Sequence, residues 1–201
     1  MQSRSVEHSI ETAAERGLIL SGEQRDALAH TTHGQDLKLV VGYAGSGKSA
    51  MLGIAREAWA AEGYIVQGAA LSGIAAENLE NGSGIASRTL AAHEHAWAQG
   101  RDLLTPNDVL IIDEAGMIGS RQMERVLYEA RMRGSKVVLV GDAAQLQAIE
   151  AGAAFRALAE RYGAIEITDV RRQQEQWQRD ATRHLRLDAP GTRLLPIATE
   201  A

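Results

Sequence analysis

The stretch that decides the fold is Leu37-Lys38-Leu39-Val40-Val41-Gly42-Tyr43-Ala44-Gly45-Ser46-Gly47-Lys48-Ser49. Its first half is a short, β-branched apolar run, which predicts a buried strand. From Gly42 to Ser49 it fits the pattern G-x-x-x-x-G-K-S/T. Met51, Ile54, Ala55, Ala58 and Trp59 follow at helical spacing, so the glycine-rich turn lies between a strand and the helix it opens. That is the context a phosphate-binding loop requires. Its glycines let backbone N–H groups turn inward, the helix N-terminus adds partial positive charge, the lysine reaches the β and γ oxygens of a nucleotide, and the serine holds Mg²⁺. The expected nucleotide contacts are Gly42, Ala44, Gly45, Ser46, Gly47, Lys48 and Ser49, with Ser49 also a metal ligand. The plain alternative is a glycine-rich turn with a solvated lysine, and the strand–loop–helix context argues against it.

Downstream, Tyr64 to Ala69 reads as a strand and completes a βαβ unit. The alternation continues with a helical stretch up to Gln99, a strand Val109 to Ile112 and a helix around Met123, Val126, Leu127 and Ala130. A strand Lys136 to Val140, a helix Ala151 to Arg161 and a strand Ala164 to Thr168 follow. Apolar strands alternating with helices predict an α/β fold with a parallel sheet covered on both faces. Upstream, residues 1–20 read as an acidic, Ala-rich amphipathic helix. Ser21 then caps a second helix, with Gln24 completing a capping box. The periodicity fades from Leu187, where two of the three prolines lie, so the end is expected to be poorly ordered.

Composition narrows the class. A chain of 201 residues is enough for one packed domain. Cysteine is absent, which excludes disulfides, thiolate zinc sites and a thiol nucleophile, and suits an intracellular setting. No apolar run approaches the roughly 18 residues that span a bilayer, and Met1 to Ser9 does not read as a signal peptide. The expectation is a cytoplasmic protein without membrane insertion. A net charge of −5 argues against an overall basic coat and leaves room for a local basic groove.

A nucleotide site needs a carboxylate for the metal and a base for the attacking water. Leu110-Ile111-Ile112-Asp113-Glu114 supplies both at a strand end, Asp113 as metal partner and Glu114 as base. By itself Asp113 reads equally well as a cap for the next helix. Its position after a P-loop favours the chemical reading. A third element, Gly141-Asp142-Ala143-Ala144-Gln145-Leu146-Gln147, follows another apolar strand, and Gln145 is placed to hydrogen-bond a γ-phosphate and register its loss.

These three motifs together resemble the first motor domain of superfamily 1 DNA helicases of the RecD-like branch. Leu20-Ser21-Gly22-Glu23-Gln24-Arg25 resembles that family's leading motif, in which the glutamine, here Gln24, reads the adenine edge. Ala70 to Ala76 is similar to the segment that touches single-stranded DNA, which implies contacts from Leu71 and Ser72. Ser87-Arg88-Thr89-Leu90 is similar to the next such segment and implies Thr89. Ala148 stands where the family usually has proline. Within the branch, the helicase region of TraA-type conjugative relaxases is the best likeness, carried by Val41–Glu57, Gly68–Thr89, Ile112–Glu124, Val138–Arg156 and Val170–Thr182.

The resemblance implies a RecA-like P-loop ATPase domain over residues 21–168, preceded by a helical extension (1–20) and followed by the start of a second motor domain (169–201). It implies ATP and Mg²⁺ as cofactors and single-stranded DNA as partner. It also implies an arginine finger at Arg172, which precedes Gln173, with Arg171 the alternative. Neither the family's relaxase module nor most of the second motor domain has a counterpart here, so an excised domain or a truncated gene product is expected.

Two functions from different classes follow. One is an ATP hydrolase coupled to single-stranded DNA, with Lys48, Glu114, Gln145 and Arg172 as catalytic residues. The other is a nucleotide- or DNA-binding fragment without motor activity, because translocation needs two lobes. A small-molecule kinase fits less well, since adjacent acids followed by a glutamine motif suit water as the nucleophile. Arg121–Lys136 and Arg171–Arg186 each hold five positive and two negative side chains, and read as solvated faces or a nucleic-acid surface. Trp97 and Trp177 read as packing residues rather than base stackers. His93-Glu94-His95 lacks zinc-helix spacing and reads as solvent-exposed, and His30 and His33 read as a loop after a helix.

Overall fold

The computed structural model describes residues 3–34, 37–142 and 152–168. Six strands form one sheet in the order β3-β2-β4-β5-β1-β6. They are β1 (Leu37–Gly42), β2 (Ile65–Ala70), β3 (Ser87–Thr89), β4 (Asp108–Ile112), β5 (Lys136–Gly141) and β6 (Ile165–Ile167). Every pairing is parallel. The chain steps from β1 out to β3 at one edge, returns through β4 and β5, and then reaches β6 at the other edge. This is the α/β sheet that the alternation of motifs predicts.

Side-chain alternation along the strands divides the core in two. On one face, Val40, Val109, Ile111, Val138 and Val140 pack with Ala27, Leu28, Met51, Ile54, Trp59 and Leu79. These come from α2 (Gly22–Thr32), α3 (Lys48–Ala61) and α4 (Gly73–Ser83). On the other face, Leu39, Val41, Leu110, Ile112 and Leu139 meet Leu90, Met123, Val126 and Phe155. Those belong to α5 (Leu90–Ala98), α6 (Ser120–Arg133) and α7 (Ala153–Tyr162). Each fully buried Leu, Ile, Val or Phe contributes about 1.5–3 kcal/mol. The central strands β4 and β5 are buried along their whole length, which is why their sequences are apolar after Asp108 and Lys136 at their first positions.

The first helix, α1 (Ser3–Glu15), packs on α3 and sends Ala13 into the first core. The helical extension is therefore built into the domain. Arg16 and Glu57 add an ion pair at 2.7 Å between α1's end and α3, exposed enough to contribute little. The stretch read as helical up to Gln99 is two helices with β3 between them. Gly84, at φ +69°, caps α4 in the left-handed region, and β3 has only three residues, too few to leave a periodic signal. The capping box is present as expected: the Ser21 hydroxyl accepts from Gln24 N at 3.3 Å and the Ser21 amide donates to Gln24 Oε1 at 3.0 Å. The segment from Leu187 onward lies outside the described residues.

Candidate nucleotide site

The P-loop follows β1 and the acid pair follows β4. Because β5 lies between these strands, both motifs flank the end of β5, where Gly141 and half-buried Asp142 lead toward the glutamine motif. This is the carboxyl edge of an open α/β sheet, where such folds bind ligands. Gln145, Arg171 and Arg172 lie outside the described residues.

Gly42 must be glycine for space. A Cβ there would lie 2.8 Å from Ser46 Oγ and 3.2 Å from both the Ile167 carbonyl oxygen and Lys48 Cδ. The loop turns at Tyr43, whose carbonyl accepts from Ser46 N at 3.1 Å. It ends at Gly47, the N-cap of α3, in the left-handed region and with no side chain capping the helix. The first-turn amides of α3 thus meet no capping side chain, an arrangement suited to an anion. Lys48 Nζ donates to the carbonyls of Gly42, at 2.5 Å, and Tyr43, at 3.0 Å. It arches back over the loop that a phosphate would fill. Ser49 is half-buried in the first turn of α3.

Asp113 continues the ladder beyond β4, its amide donating to the Ala69 carbonyl at 2.9 Å. Its half-buried carboxyl is pushed above the ordinary range by burial, an effect opposed by the Glu114 amide and by the charge of Lys48. The Glu114 N–H donates to Asp113 Oδ1 at 2.9 Å. Glu114 itself has φ +53° and ψ +33°, a left-handed conformation that costs a residue with a Cβ roughly 1–2 kcal/mol. That conformation leaves its side chain exposed. Among the described residues no group of three or more histidines and carboxylates could hold a metal alone. A hydroxyl and one carboxylate fit Mg²⁺, which takes few protein ligands and completes its shell with phosphate and water.

Gln24 is buried at the start of α2, and both ends of its amide are engaged. Oε1 accepts from Ser21 N and Nε2 donates to the Ser46 carbonyl at 2.7 Å, tying α2 to the P-loop. Of the expected DNA contacts, Ser72 is the N-cap of α4 and Thr89 the N-cap of α5, accepting from Ala75 N at 3.1 Å and Ala92 N at 3.2 Å. Each hydroxyl keeps its own proton to donate. Thr89 pairs with Ala70 across the sheet, so the two helix starts lie side by side at one end of the carboxyl edge. Leu71 is exposed beside them, as are Ile74 and Met117.

Three readings are corrected. His93 is buried, because α5 turns it under the edge strand, where Nε2 meets the Gly68 carbonyl at 3.1 Å and Nδ1 accepts from Arg88 Nε at 3.2 Å. His30 lies within α2 and only His33 caps it. Lys136 is buried rather than part of a solvated basic face, its ammonium donating to the carbonyls of Gly34 at 2.7 Å and His33 at 3.2 Å. In the same cluster Arg125 pairs with Glu94 and Arg133 with Glu129. Trp97 packs against the second core and the His93 ring, its centroid 5.4 Å away.

Motif reading did not single out Glu23. Its carboxylate accepts from the amide and the hydroxyl of Thr168, each at 2.6 Å, and only the fold brings these residues together.

A P-loop and an acid pair on the carboxyl edge of this sheet define a P-loop NTPase domain. The chain belongs to the AAA domain family, which it matches over residues 19–198. It is 50% identical over 173 residues to the probable conjugal transfer protein TraA of Sinorhizobium fredii, covering 86% of this chain and 16% of that protein. It is 43% identical over 68 residues to the ATP-dependent RecD2 DNA helicase of Deinococcus radiodurans, covering 34% of this chain and 9% of that protein. The crystal structure of the Pif1 helicase from Candida albicans superposes with a TM-score of 0.56 at 24% identity, over 84% of this chain and 44% of that one, and shows the shared fold. These likenesses support the first motor domain of RecD-like superfamily 1 helicases, near TraA. The chain spans about one-sixth of the length of the TraA relative. No helix among the described residues is long and apolar enough to cross a membrane.

Proposed function

We propose that this chain binds ATP with Mg²⁺ and hydrolyses it as the first motor lobe of a single-stranded-DNA-dependent helicase or translocase of conjugative plasmid transfer, working in the cytoplasm. The observation that carries the reading is the convergence of Lys48 and Ser49 with Asp113 and Glu114 around the end of β5. Ser49 would ligate Mg²⁺ and Asp113 would hold its water shell; when bound, the ion neutralises phosphate charge. Lys48 exchanges the carbonyls of Gly42 and Tyr43 for phosphate oxygens. Glu114 orients a water in line with the γ-phosphate and takes its proton. Gln145 would register the γ-phosphate. Arg172 would stabilise the transition state when a second lobe, in the same chain or another, closes on the site. Such a finger contributes about 10³–10⁵ in rate, so this lobe alone is expected to bind ATP better than it hydrolyses it. Leu71, Ser72 and Thr89 supply the DNA-facing edge.

The test is steady-state ATP hydrolysis by the 201-residue chain with Mg²⁺, with and without single-stranded DNA, beside Lys48→Ala. Hydrolysis stimulated by DNA and abolished in the variant is the expected result. Nucleotide binding without hydrolysis above the variant would leave the binding fragment as the function. No binding at all would refute the nucleotide site.

A further inference from the structure

Residues 23 and 24 are neighbours in the first turn of α2, yet they hold two different parts of the site. Gln24 Nε2 donates to the carbonyl of Ser46 within the P-loop at 2.7 Å. Glu23 receives the amide and the hydroxyl of Thr168 on its two carboxylate oxygens, both at 2.6 Å. Thr168 directly follows β6, from which the chain runs on toward Arg171 and Arg172. The two anchored points are close to each other. Gly42 pairs with Ile167 in the sheet, and the Ile167 carbonyl lies 3.2 Å from the space a Gly42 Cβ would take. In the same place the Ser46 hydroxyl is buried with no hydrogen-bond partner, 2.8 Å from that space.

We propose that Glu23 is a positioning residue: with Gln24 it makes the first turn of α2 a two-ended clamp that transmits movement of the P-loop to the strand exit at Thr168. A helix turn closed by a capping box is stiff, so displacement at Ser46 is passed to Glu23 rather than absorbed between them. Phosphate drawing Lys48 off the carbonyls of Gly42 and Tyr43 would supply the displacement. This last step rests on the proposed nucleotide site; the clamp itself does not. A carboxylate suits the role because it accepts from the Thr168 N–H and O–H together, and a charged acceptor strengthens both bonds.

The experiment is amide hydrogen exchange, followed residue by residue by NMR on the whole chain, for the wild type, Glu23→Gln, Glu23→Ala and Gln24→Ala. Without nucleotide, Glu23→Ala should speed exchange at Thr168 by about tenfold, with Glu23→Gln intermediate. The decisive result is crossed. Gln24→Ala, which cuts the P-loop end together with the capping-box bond to Ser21 N, should also speed exchange at Thr168, and Glu23→Ala, which leaves the capping box intact, should speed it at Ser46 and is the deciding arm. If each substitution loosens only its own end, the two bonds are separate supports and the clamp is refuted. With MgADP, the Ser46 and Thr168 amides should shift together in the wild type, and Glu23→Ala should silence Thr168 while Ser46 still responds. Ser46 responding alone in the wild type would also refute the proposal. No response anywhere in the P-loop would instead refute the nucleotide site, and the crossed exchange would still decide the clamp.

Discussion

Gly82→Ala separates the effect of this position on the metal ligand from its effect on the fold. Gly82 lies in the last turn of α4, where a Cβ would fall 2.9 Å from Ser49 Cβ and 3.2 Å from Ser49 Oγ. Carbon atoms in ordinary contact stand roughly 3.5–4.0 Å apart, so α3 and α4 must part by about 0.6 Å or more. Rotation about χ1 can carry Ser49 Oγ away, but Ser49 Cβ, the nearer atom, is fixed to the first turn of α3 and cannot swing aside. One turn further along α3, Gly53 meets the Ser83 carbonyl just as closely, at 3.2 Å from its own missing Cβ. Overpacking of this kind costs about 1–3 kcal/mol, whereas alanine replacing glycine in a helix returns up to about 1 kcal/mol. The clash wins or balances, for a net loss of about 0–2 kcal/mol and a fall in Tm of up to roughly 8 °C in a chain of this size. The displacement of Ser49 matters more, since sites tolerate about 0.5 Å of misplacement. Affinity for MgADP, measured by titration calorimetry, should fall about tenfold, while affinity in EDTA changes less than about twofold, which corresponds to about 1.4 kcal/mol carried by the metal. Gly73→Ala, whose Cβ would meet nothing within 4 Å, is the control. A raised Tm with unchanged Mg²⁺-dependent affinity for Gly82→Ala would refute the reasoning.

Glu114→Asn should raise Tm by about 2–4 °C, because asparagine tolerates the left-handed backbone that glutamate adopts there, and should lower hydrolysis by about 10²–10⁴; a Tm at or below that of the wild type would show the conformation carries no strain. Burial raises the Asp113 carboxyl, so the folded state holds its proton to higher pH than the unfolded chain, and the ionised group costs stability at neutral pH. Asp113→Asn should therefore be more stable than the wild type near pH 7.5, with the gain fading as pH falls into the ordinary carboxylate range; urea midpoints across pH will show this gain or its absence. His93 runs in the opposite sense. Burial lowers it, with help from Arg88 and against the Gly68 carbonyl and Asp102, so below about pH 6.5 the unfolded chain takes the proton first and stability falls as pH drops. His93→Gln should flatten that slope, and an unchanged slope would assign it to other groups.

The sheet and its motifs were legible because each rests on a local rule. Strands β4 and β5 are buried on both faces and so are apolar beyond their first residues, Asp108 and Lys136, and the capping box at Ser21 and Gln24 is written within four consecutive residues. The P-loop likewise declares itself through residues that must be adjacent for the backbone to curl around phosphate. What local rules did not yield depends on distance. His93 is buried only because α5 folds beneath the edge strand, Lys136 because the end of α2 brings its carbonyls there, and β3 exists only as a short strand paired to β2.

Gln24 shows how a local rule and a long-range one can share one residue. Its spacing from Ser21 announces a cap, and the cap is real. The other end of the same amide reaches a P-loop carbonyl 22 residues away, and no pattern of spacing marks that contact. Glu23 is further removed still, joined to Thr168 across 145 residues. A glutamate at the start of a helix is unremarkable, since the helix dipole favours it there whatever it touches. The dipole would be satisfied equally well by a carboxylate pointing into water, so the bidentate grip on Thr168 demands a reason of its own. The geometry supplies one: holding the end of β6 against β1 fixes the floor beneath Gly42, the position where the P-loop has no room for a single added carbon.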